Sequence, residues 1–322
     1  MNLLILTPRF SREEIHEFVA GESLMNALDE AHIHWELHQP WNPLKGDLTK
    51  YDAVLCWSFN GSRNNFVFWC TRFEAQCREL GIPVINSIDA FMLDHHTCLQ
   101  KWQEAGVPCA RAQHVNEAED INLDYPLILR VNNQHEAANV FLVNNKAEAG
   151  EIMDRQFEDY TKSSKKDWHT RPIDLAIEYK NVLSADGYYH KKRMIVVGDA
   201  LIPREYTIAK SWVVNLDNRV ENDYARSLNR KFFEYPEDEA AMIKKAARAL
   251  GSDIVALDYT QLDDGSYMFW EGNRHFKMHG NKKYGPGMIN PATSRNYEEM
   301  VAIDARLGKE IVALIESRVG LG

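Results

Sequence analysis

Short apolar runs and helical apolar stripes alternate over the first 90 residues. Between the runs, apolar positions at helical spacing predict two helices, over 15–28 and 66–80. The first begins behind a capping box of Ser11 and Glu14, and the second stops at Gly81. Four short runs have the pattern of strands, at residues 2–6, 32–38, 51–57 and 82–86. Because strands alternate with helices, this region predicts a parallel α/β sheet.

After residue 90 the pattern changes toward antiparallel strands. Helices are predicted near 95–105, 147–160, 236–251 and 297–317. Strands are predicted near 125–132, 139–145, 173–182, 189–199, 200–210, 253–262 and 266–273. Asp-Gly and Gly-Asp turns separate several of these strands, and Asp263-Asp264-Gly265 joins the last two as a hairpin. The later two thirds therefore predict an α+β arrangement.

Composition narrows the class of protein. The 322 residues are 45% hydrophobic, which excludes wholesale disorder, and 47 acids against 37 bases give a net charge of -10, which argues against a nucleic-acid-coating protein. The five cysteines are an odd number without a CxxC pair, so we expect buried thiols and neither a disulfide framework nor a zinc ribbon. No apolar run is long enough to span a membrane. We expect a cytoplasmic protein with no nucleic-acid or membrane partner.

Chemistry concentrates on the last predicted hairpin. Asp258 lies on its first strand, and Glu271 and Asn273 lie on its second, two residues apart and so on one face. Counting outward from the turn makes Asp258 and Glu271 near cross-strand partners. Two carboxylates and an amide oxygen on one face are ligands suited to Mg²⁺. The alternative is an ordinary exposed polar face on a two-stranded ribbon.

Here the sequence resembles the ATP-grasp superfamily, of the carboxylate–amine or thiol ligase type related to glutathione synthetase. An acid on a strand, a turn, and then Glu-x-Asn at the end of the next strand is that family's metal signature. The segments INSIDAFMLDHHTCLQKWQEAGVP, YPLILRVNNQHEAANVFLV, LAIEYKNV and KKRMIVVGDALIPRE resemble further family segments in the family's order. The resemblance covers roughly residues 84–320. It implies a preATP-grasp α/β domain at 1–90, followed by an ATP-grasp fold of two α+β subdomains at 91–175 and 176–322.

The resemblance also implies a nucleotide site. In the family, backbone groups at the hinge after LAIE pair with adenine, here the Tyr179 carbonyl and the Asn181 amide. Glu178 and Asp186 are the nearby carboxylates, and Asp186 could accept from ribose hydroxyls; the alternative for Glu178 is an ordinary strand acid. Arg130 stands where the family has a phosphate-loop lysine, and the loop after it lacks the usual glycines. His96 or His95 stands where a second lysine is usual.

The ribbon at 189–210 carries the expected catalytic cations. The family places an arginine at the position of Arg193, against the phosphates or the acyl phosphate, and Arg204 and Lys210 could complete a cationic wall. Lys191 and Lys192 are interpreted as solvated neighbours.

The implied activity is that of an ATP-dependent ligase. It would activate a carboxylate as an acyl phosphate and join it to an amine or similar nucleophile, releasing ADP and phosphate. The implied cofactors are ATP and Mg²⁺, with Mn²⁺ possible, the metal being held by Asp258, Glu271 and Asn273. Small-molecule or peptide carboxylates and amines are the expected substrates, and a homodimer is possible. Two alternatives stay open: a kinase that stops after phosphoryl transfer, and a nucleotide-binding relic without catalysis.

Overall fold

The structure is a computed structural model. It describes residues 1–7, 21–44, 46–57, 64–87, 94–132, 139–162, 171–215, 218–234, 237–273 and 297–320. Within these ranges the strands form three four-stranded sheets. In the same ranges, no helix combines the length and the hydropathy that a membrane crossing requires.

The first sheet is parallel, as the sequence predicts. Its strand order is β2-β1-β3-β4, and all neighbouring strands run in the same direction. The central strands are buried along nearly their whole length, which is why they are continuous apolar runs rather than alternating ones. The strands are β1 (Asn2–Leu6), β2 (His34–His38), β3 (Ala53–Cys56) and β4 (Val84–Ile85).

The second sheet is antiparallel and has the order β5-β8-β6-β7. Buried and half-buried residues alternate along β6, because one face of the sheet packs on a core that includes Val115, Leu127 and Met153. The strands are β5 (Ala112–His114), β6 (Leu127–Arg130), β7 (Val140–Val143) and β8 (Leu175–Glu178).

The third sheet is antiparallel as well and carries most of the predicted chemistry. Its order is β10-β9-β11-β12, and β11 and β12 form the predicted hairpin, with Gly265 at φ 84° in the turn. The strands are β9 (Tyr189–Val197), β10 (Ala200–Ala209), β11 (Ile254–Gln261) and β12 (Tyr267–Asn273).

Helices cover the sheets and join them. They are α1 (Gly21–Glu30), α2 (Asn64–Leu80), α3 (His95–Glu104), α4 (Lys146–Lys162), α5 (Asp223–Phe232), α6 (Glu237–Leu250) and α7 (Tyr297–Val319). Capping residues mark several helix ends. The Asp94 side chain accepts from the Thr97 amide at the start of α3, and the Asn222 side chain accepts from the Ala225 amide at the start of α5. Gly251, at φ 67°, follows the end of α6.

The C-terminal helix connects the first sheet to the third. One apolar core contains Leu3 and Leu24 from the first region, Ile195 and Ala256 from the third sheet, and Leu307 from α7. A side chain at Gly308 would meet the Ser23 carbonyl of α1, so glycine permits this close helix contact. One face of the first sheet therefore shares a core with the third sheet, whereas the other face packs against α2 in a core made of N-terminal residues alone. The boundaries at residues 90 and 175 stay predictions.

Asn86 joins the same two sheets by hydrogen bonds. Its side-chain oxygen accepts from the Ile254 backbone amide at 2.8 Å, and its backbone amide donates to the Asp253 carboxylate at 2.9 Å. Asn86 is buried and has a positive φ of 57°, a conformation that asparagine tolerates better than most residues. The asparagine in the family-like INS segment is thus a structural link in this chain.

Two elements differ from the sequence prediction. The short strand β5 and the helix α5 were not expected, because β5 has three residues and α5 has few apolar positions. Ser11, Glu14 and the apolar positions 15–19 lie outside the described residues. Within the described chain all five cysteines are free thiols, and four of them are buried, as expected for a protein without a disulfide framework.

Candidate active site

A row of four charged residues crosses one face of the third sheet. Glu205 on β10 is directly opposite Arg193 on β9, Arg193 is opposite Asp258 on β11, and Asp258 is opposite Glu271 on β12. Directly opposed residues in antiparallel strands project from the same face. The near cross-strand pairing of Asp258 with Glu271 is therefore confirmed, and the row unites residues from four strands.

Arg193 and Asp258 form the tightest contact in the row. The guanidinium donates from Nε to Oδ1 at 2.6 Å and from Nη2 to Oδ2 at 2.7 Å, the fork geometry that arginine makes with carboxylates. Lys191 Nζ lies 3.5 Å from Oδ2. The Asp258 side chain is only 4% exposed, whereas that of Arg193 is 29% exposed. Burial lowers the pKa of Arg193, but the negative charge and hydrogen bonds of Asp258 outweigh it and raise the pKa above its ordinary value.

Glu271 is surrounded by positive and polar nitrogen groups. His95 Nε2 lies 3.1 Å from Glu271 Oε1, and His95 is buried at the first turn of α3. Burial raises the pKa of the Glu271 carboxyl, but His95, Arg130 and Arg193 outweigh that effect and hold the pKa well below its ordinary value. Arg130 belongs to the second sheet and Arg193 to the third, so Glu271 interacts with charged residues of both sheets.

The donor set on the hairpin suits a hard divalent cation. Asp258 and Glu271 are paired across the strands, and Asn273 follows Glu271 by two residues and is half-buried. One or two carboxylates and an amide oxygen are what Mg²⁺ typically takes from a protein, with the remaining positions left to water and phosphate. The residues therefore fit the ion chemically, although both Asp258 oxygens are engaged by Arg193.

Arg130 and His96, the predicted phosphate contacts, lie at different places. Arg130 ends β6, and burial lowers the pKa of its guanidinium against the opposing effects of Glu271 and Asp174. The His96 ring packs on the His114 ring with centroids 4.2 Å apart, and burial with that neighbour lowers its pKa. His95 is the histidine beside the proposed metal ligands. Of the two alternatives for the second family lysine, geometry favours His95.

The predicted adenine hinge lies where β8 ends. Glu178 is held by Lys180 at 2.6 Å and by Arg111 at 3.4 Å, and these hydrogen bonds lower its pKa against the effect of burial. The Tyr179 amide donates to the Pro126 carbonyl at 3.4 Å, and Asn181 Oδ1 accepts from the Tyr189 hydroxyl at 3.3 Å. The roles of Tyr179, Asn181 and Glu178 toward a nucleotide stay predictions.

Asp186 is engaged more fully than the sequence suggests. Both of its oxygens lie 3.0 Å from His190 Nε2, Oδ2 also accepts from the Tyr224 hydroxyl at 2.7 Å, and Oδ1 accepts from the Tyr188 amide at 3.1 Å. These contacts use nearly all the acceptor capacity of a carboxylate. Asp186 joins the 184–188 turn to α5, and a ribose contact would have to displace one of these partners.

The expected cationic wall is not assembled as predicted. Arg204 is buried in an ion pair with Asp304 of α7, at the irregularity of β10 between Pro203 and Glu205, so an internal carboxylate balances its charge. Lys210 is exposed just beyond β10, five residues from Glu205, or about 16 Å along an extended strand. Arg193 is the one of the three that lies in the charged row.

The interpretation of Lys192 as a solvated neighbour is wrong. Its side chain is 9% exposed and projects from the other face of β9, where Nζ donates to Glu239 at 3.0 Å and to Gln261 at 3.2 Å. Three aromatic rings surround the ammonium group within 6 Å, those of Tyr206, Phe232 and Tyr259. Lys192 is a buried structural residue.

Sequence reasoning missed two members of the site and left a third open. Lys191 and Glu205 follow from strand register: Lys191 is two residues before Arg193 on the same face, and Glu205 is its cross-strand partner. A correct register for β9 and β10 would have found both. His95 could not be chosen over His96 from sequence, because the two are adjacent on a helix whose orientation depends on packing.

Comparison with solved structures decides the fold. An ATP-grasp RimK-domain protein from Sphaerobacter thermophilus matches over 98% of this chain and 99% of its own, with a TM-score of 0.55 and 15% identity. The ATP-grasp ligase PsnB, solved with a minimal precursor, Mg and ADP, matches over 98% of each chain, with a TM-score of 0.55 and 13% identity. D-alanine–D-alanine ligase from Bacillus anthracis, solved with ATP, matches over 100% of this chain and 99% of its own, with a TM-score of 0.55 and 15% identity.

The chain has the ATP-grasp fold. No family model matches the sequence, and no curated protein matches it. At 13–15% identity the likeness to these three proteins concerns the fold. The expected mixed α/β architecture is confirmed, and the assignment of chemistry depends on the residues of the charged row.

Proposed function

We propose that this protein is an ATP-dependent ligase that activates a carboxylate as an acyl phosphate and joins it to an amine. The observation that carries the proposal is the charged row of Glu205, Arg193, Asp258 and Glu271 on one sheet face of an ATP-grasp fold. A half-buried guanidinium beside paired carboxylates is suited to stabilising charge on a transferring phosphoryl group.

The nucleotide would extend along β9. Its base would meet the hinge, through the Tyr179 carbonyl and the Asn181 amide, near Tyr189 at the start of the strand. Its phosphates would reach Arg193 four residues later, or about 13 Å further along the strand. Arg130 would face the phosphates from the second sheet, with Glu178 beside the hinge. Of the two histidines at the position of the second family lysine, His95 would face the nucleotide, because it lies beside Glu271.

Asp258, Glu271 and Asn273 would hold Mg²⁺ or Mn²⁺, and the ion would neutralise charge on the β- and γ-phosphates. The chain's own residues orient the reactants. Arg193 would bind the γ-phosphoryl group and the acceptor carboxylate, keeping both in line and away from water. The carboxylate oxygen attacks the γ-phosphorus and ADP leaves. The amine then attacks the acyl carbon, the bond to the phosphate oxygen breaks, and the departing phosphate takes the proton that the nitrogen loses.

The proposed reaction is specific, but it leaves a broad class of substrates open. PsnB was solved with a precursor peptide, which supports a peptide or small-molecule carboxylate as the acceptor here. A cytoplasmic location, the absence of nucleic-acid partners and a possible homodimer stay predictions about this protein.

One observation favours a second candidate, a nucleotide-binding protein without turnover. Both oxygens of Asp258, a proposed metal ligand, are bound by Arg193, and Asp258 is almost fully buried. A kinase that stops after phosphoryl transfer shares the proposed site and differs only in needing no amine.

A pooled screen distinguishes these three activities. The protein is incubated with ATP and Mg²⁺ and with carboxylates alone, amines alone or both, and nucleotides are separated by chromatography. The ligase predicts ADP release that requires both pools. ADP formed with one pool alone indicates a kinase, no nucleotide product indicates a binder, and AMP as the main product contradicts the acyl-phosphate route.

A further inference from the structure

The two proposed metal carboxylates are already neutralised by the protein itself. Asp258 is bound through both oxygens by Arg193, and Lys191 lies 3.5 Å away. Glu271 lies beside His95 and interacts with the charges of Arg130 and Arg193. Two carboxylates thus face three permanent cations, and Glu205, opposite Arg193, brings the row close to balance. A bare divalent cation approaching this row finds no net negative charge.

The burial of Asp258 also disfavours binding of a bare metal ion. The Asp258 side chain is 4% exposed, and the pair with Arg193 covers the oxygens that a metal would need. Removing a carboxylate from a buried, doubly hydrogen-bonded pair is costly unless another cation replaces the first one. A metal ion alone could replace the guanidinium at Asp258, but it would add two positive charges to a row that is already close to balance. Arg193 would then lose both hydrogen bonds to Asp258 and keep only its neighbour Glu205 to offset its charge among these strand partners.

A nucleotide triphosphate supplies the missing counter-charge. Arg193 keeps 29% of its side chain exposed, whereas its partner Asp258 is buried, so Arg193 is the more accessible member of the pair. Phosphate oxygens accept from an arginine fork with the same geometry as a carboxylate. If phosphates take the guanidinium and the ion takes Asp258, every charge keeps a partner throughout the exchange.

We infer that Arg193 is an exchangeable counter-ion that occupies Asp258 until nucleotide arrives, so that metal and nucleotide enter this site together and neither binds well alone. The inference rests on the function proposed above and adds to it that metal and nucleotide bind cooperatively. By linkage, the factor by which nucleotide tightens metal binding equals the factor by which metal tightens nucleotide binding.

Manganese binding measures this coupling without any turnover. Free Mn²⁺ is followed by electron paramagnetic resonance during titration of the protein, with and without ADP. For the wild type, ADP should tighten Mn²⁺ binding by at least about tenfold, within the usual range of coupling between sites. Arg193→Gln should tighten binding of Mn²⁺ alone by a similar factor, because Asp258 loses its counter-ion. Adding Glu271→Gln to that variant should remove the gain, which places the ion at this pair.

Two variants keep the experiment interpretable. Arg219→Gln removes an equal charge from an exposed pair with Glu221 and should leave Mn²⁺ binding unchanged. Arg193→Lys keeps the charge but loses the fork, and it should tighten binding of Mn²⁺ alone by less than Arg193→Gln does; it replaces the glutamine variant if that one does not fold.

The outcomes separate the inference from the proposed function. If wild-type protein binds Mn²⁺ alone as tightly as with ADP, or if the Arg193 variants leave binding of Mn²⁺ alone unchanged, the exchange is wrong, while ADP binding still supports the proposed site. If calorimetry shows that ADP does not bind with or without Mn²⁺, the proposed function fails and the inference fails with it.

Discussion

Lys192 and Arg193 are neighbours on one strand, and each binds a carboxylate, yet they belong to opposite faces of the sheet. Lys192 is enclosed by three aromatic rings, and its partner Glu239 is 1% exposed. Arg193 keeps 29% of its side chain exposed beside the buried Asp258. The first pair is buried on both sides, whereas the cation of the second pair is partly exposed.

The comparison shows what distinguishes a site from a structural ion pair. Both pairs have short hydrogen bonds, and both cations come from the same basic run in the sequence. The two cations differ in exposure and in surroundings. Gln261 and three aromatic rings surround Lys192, whereas Arg193 has two carboxylates, Glu205 and Asp258, as its cross-strand partners. A role in fold stability follows for the first pair, and a role in binding follows for the second.

Removing Lys192 should cause the largest loss of stability. Lys192→Met leaves Glu239 buried without its main counter-charge, and breaking such a pair costs about 3–5 kcal/mol. Lys191→Met, on the opposite face, should cost less, because Asp258 keeps both hydrogen bonds to Arg193. Urea unfolding of both variants measures the difference. Equal losses would show that the two faces are not distinct in the way described here.

Changing Glu271 should cause the largest loss of activity. Glu271→Gln is nearly isosteric and should keep the fold, but it removes a charge from the proposed metal ligands. Turnover should fall by at least about a hundredfold, on the scale of losing one key electrostatic group. ADP formation in the active substrate pool is the assay, and Glu151→Gln on the exposed side of α4 is the control. An unimpaired Glu271→Gln would remove this residue from the metal site.

The two predicted phosphate contacts should differ in nucleotide affinity. Arg130→Ala should weaken ADP binding by about 1.5–3 kcal/mol, the scale of a charge-assisted contact to phosphate. His96→Ala should weaken it less, because the His96 ring packs on His114 and not beside Glu271. Calorimetry with Mg²⁺ present compares them. A larger effect of His96→Ala would show that the second sheet is assigned to the phosphates incorrectly.

Local signals were sufficient to predict most of the fold. Period-two and helical patterns, turn residues and caps predicted the parallel first sheet, the β11–β12 hairpin and the helices α2, α3 and α6, because each depends on residues close in sequence. The pairing of Asp258 with Glu271 followed from counting along one hairpin. The same reasoning missed β5, which is too short for a periodic pattern, and α5, although Tyr224, Leu228 and Phe232 recur every four residues behind the Asn222 cap.

Contacts between distant segments were not predictable from the sequence. Lys192 meets Glu239 across 47 residues, and Arg204 meets Asp304 across 100 residues. The local sequence around either cation does not show that a buried carboxylate on a distant helix pairs with it. Asp186 is a similar case, since the Tyr224 hydroxyl that engages it belongs to a helix that the pattern did not reveal.

The central claim is that the face of the third sheet with Arg193, Asp258 and Glu271 binds the phosphates of ATP together with a divalent cation. Isothermal titration of wild-type protein with ADP, once with Mg²⁺ and once with a chelator, tests it most directly. We predict strong binding with Mg²⁺ and at least about tenfold weaker binding without it, because phosphates that take Arg193 then leave the buried Asp258 without its main counter-charge. Equal affinity under both conditions, or no binding under either, would contradict the account.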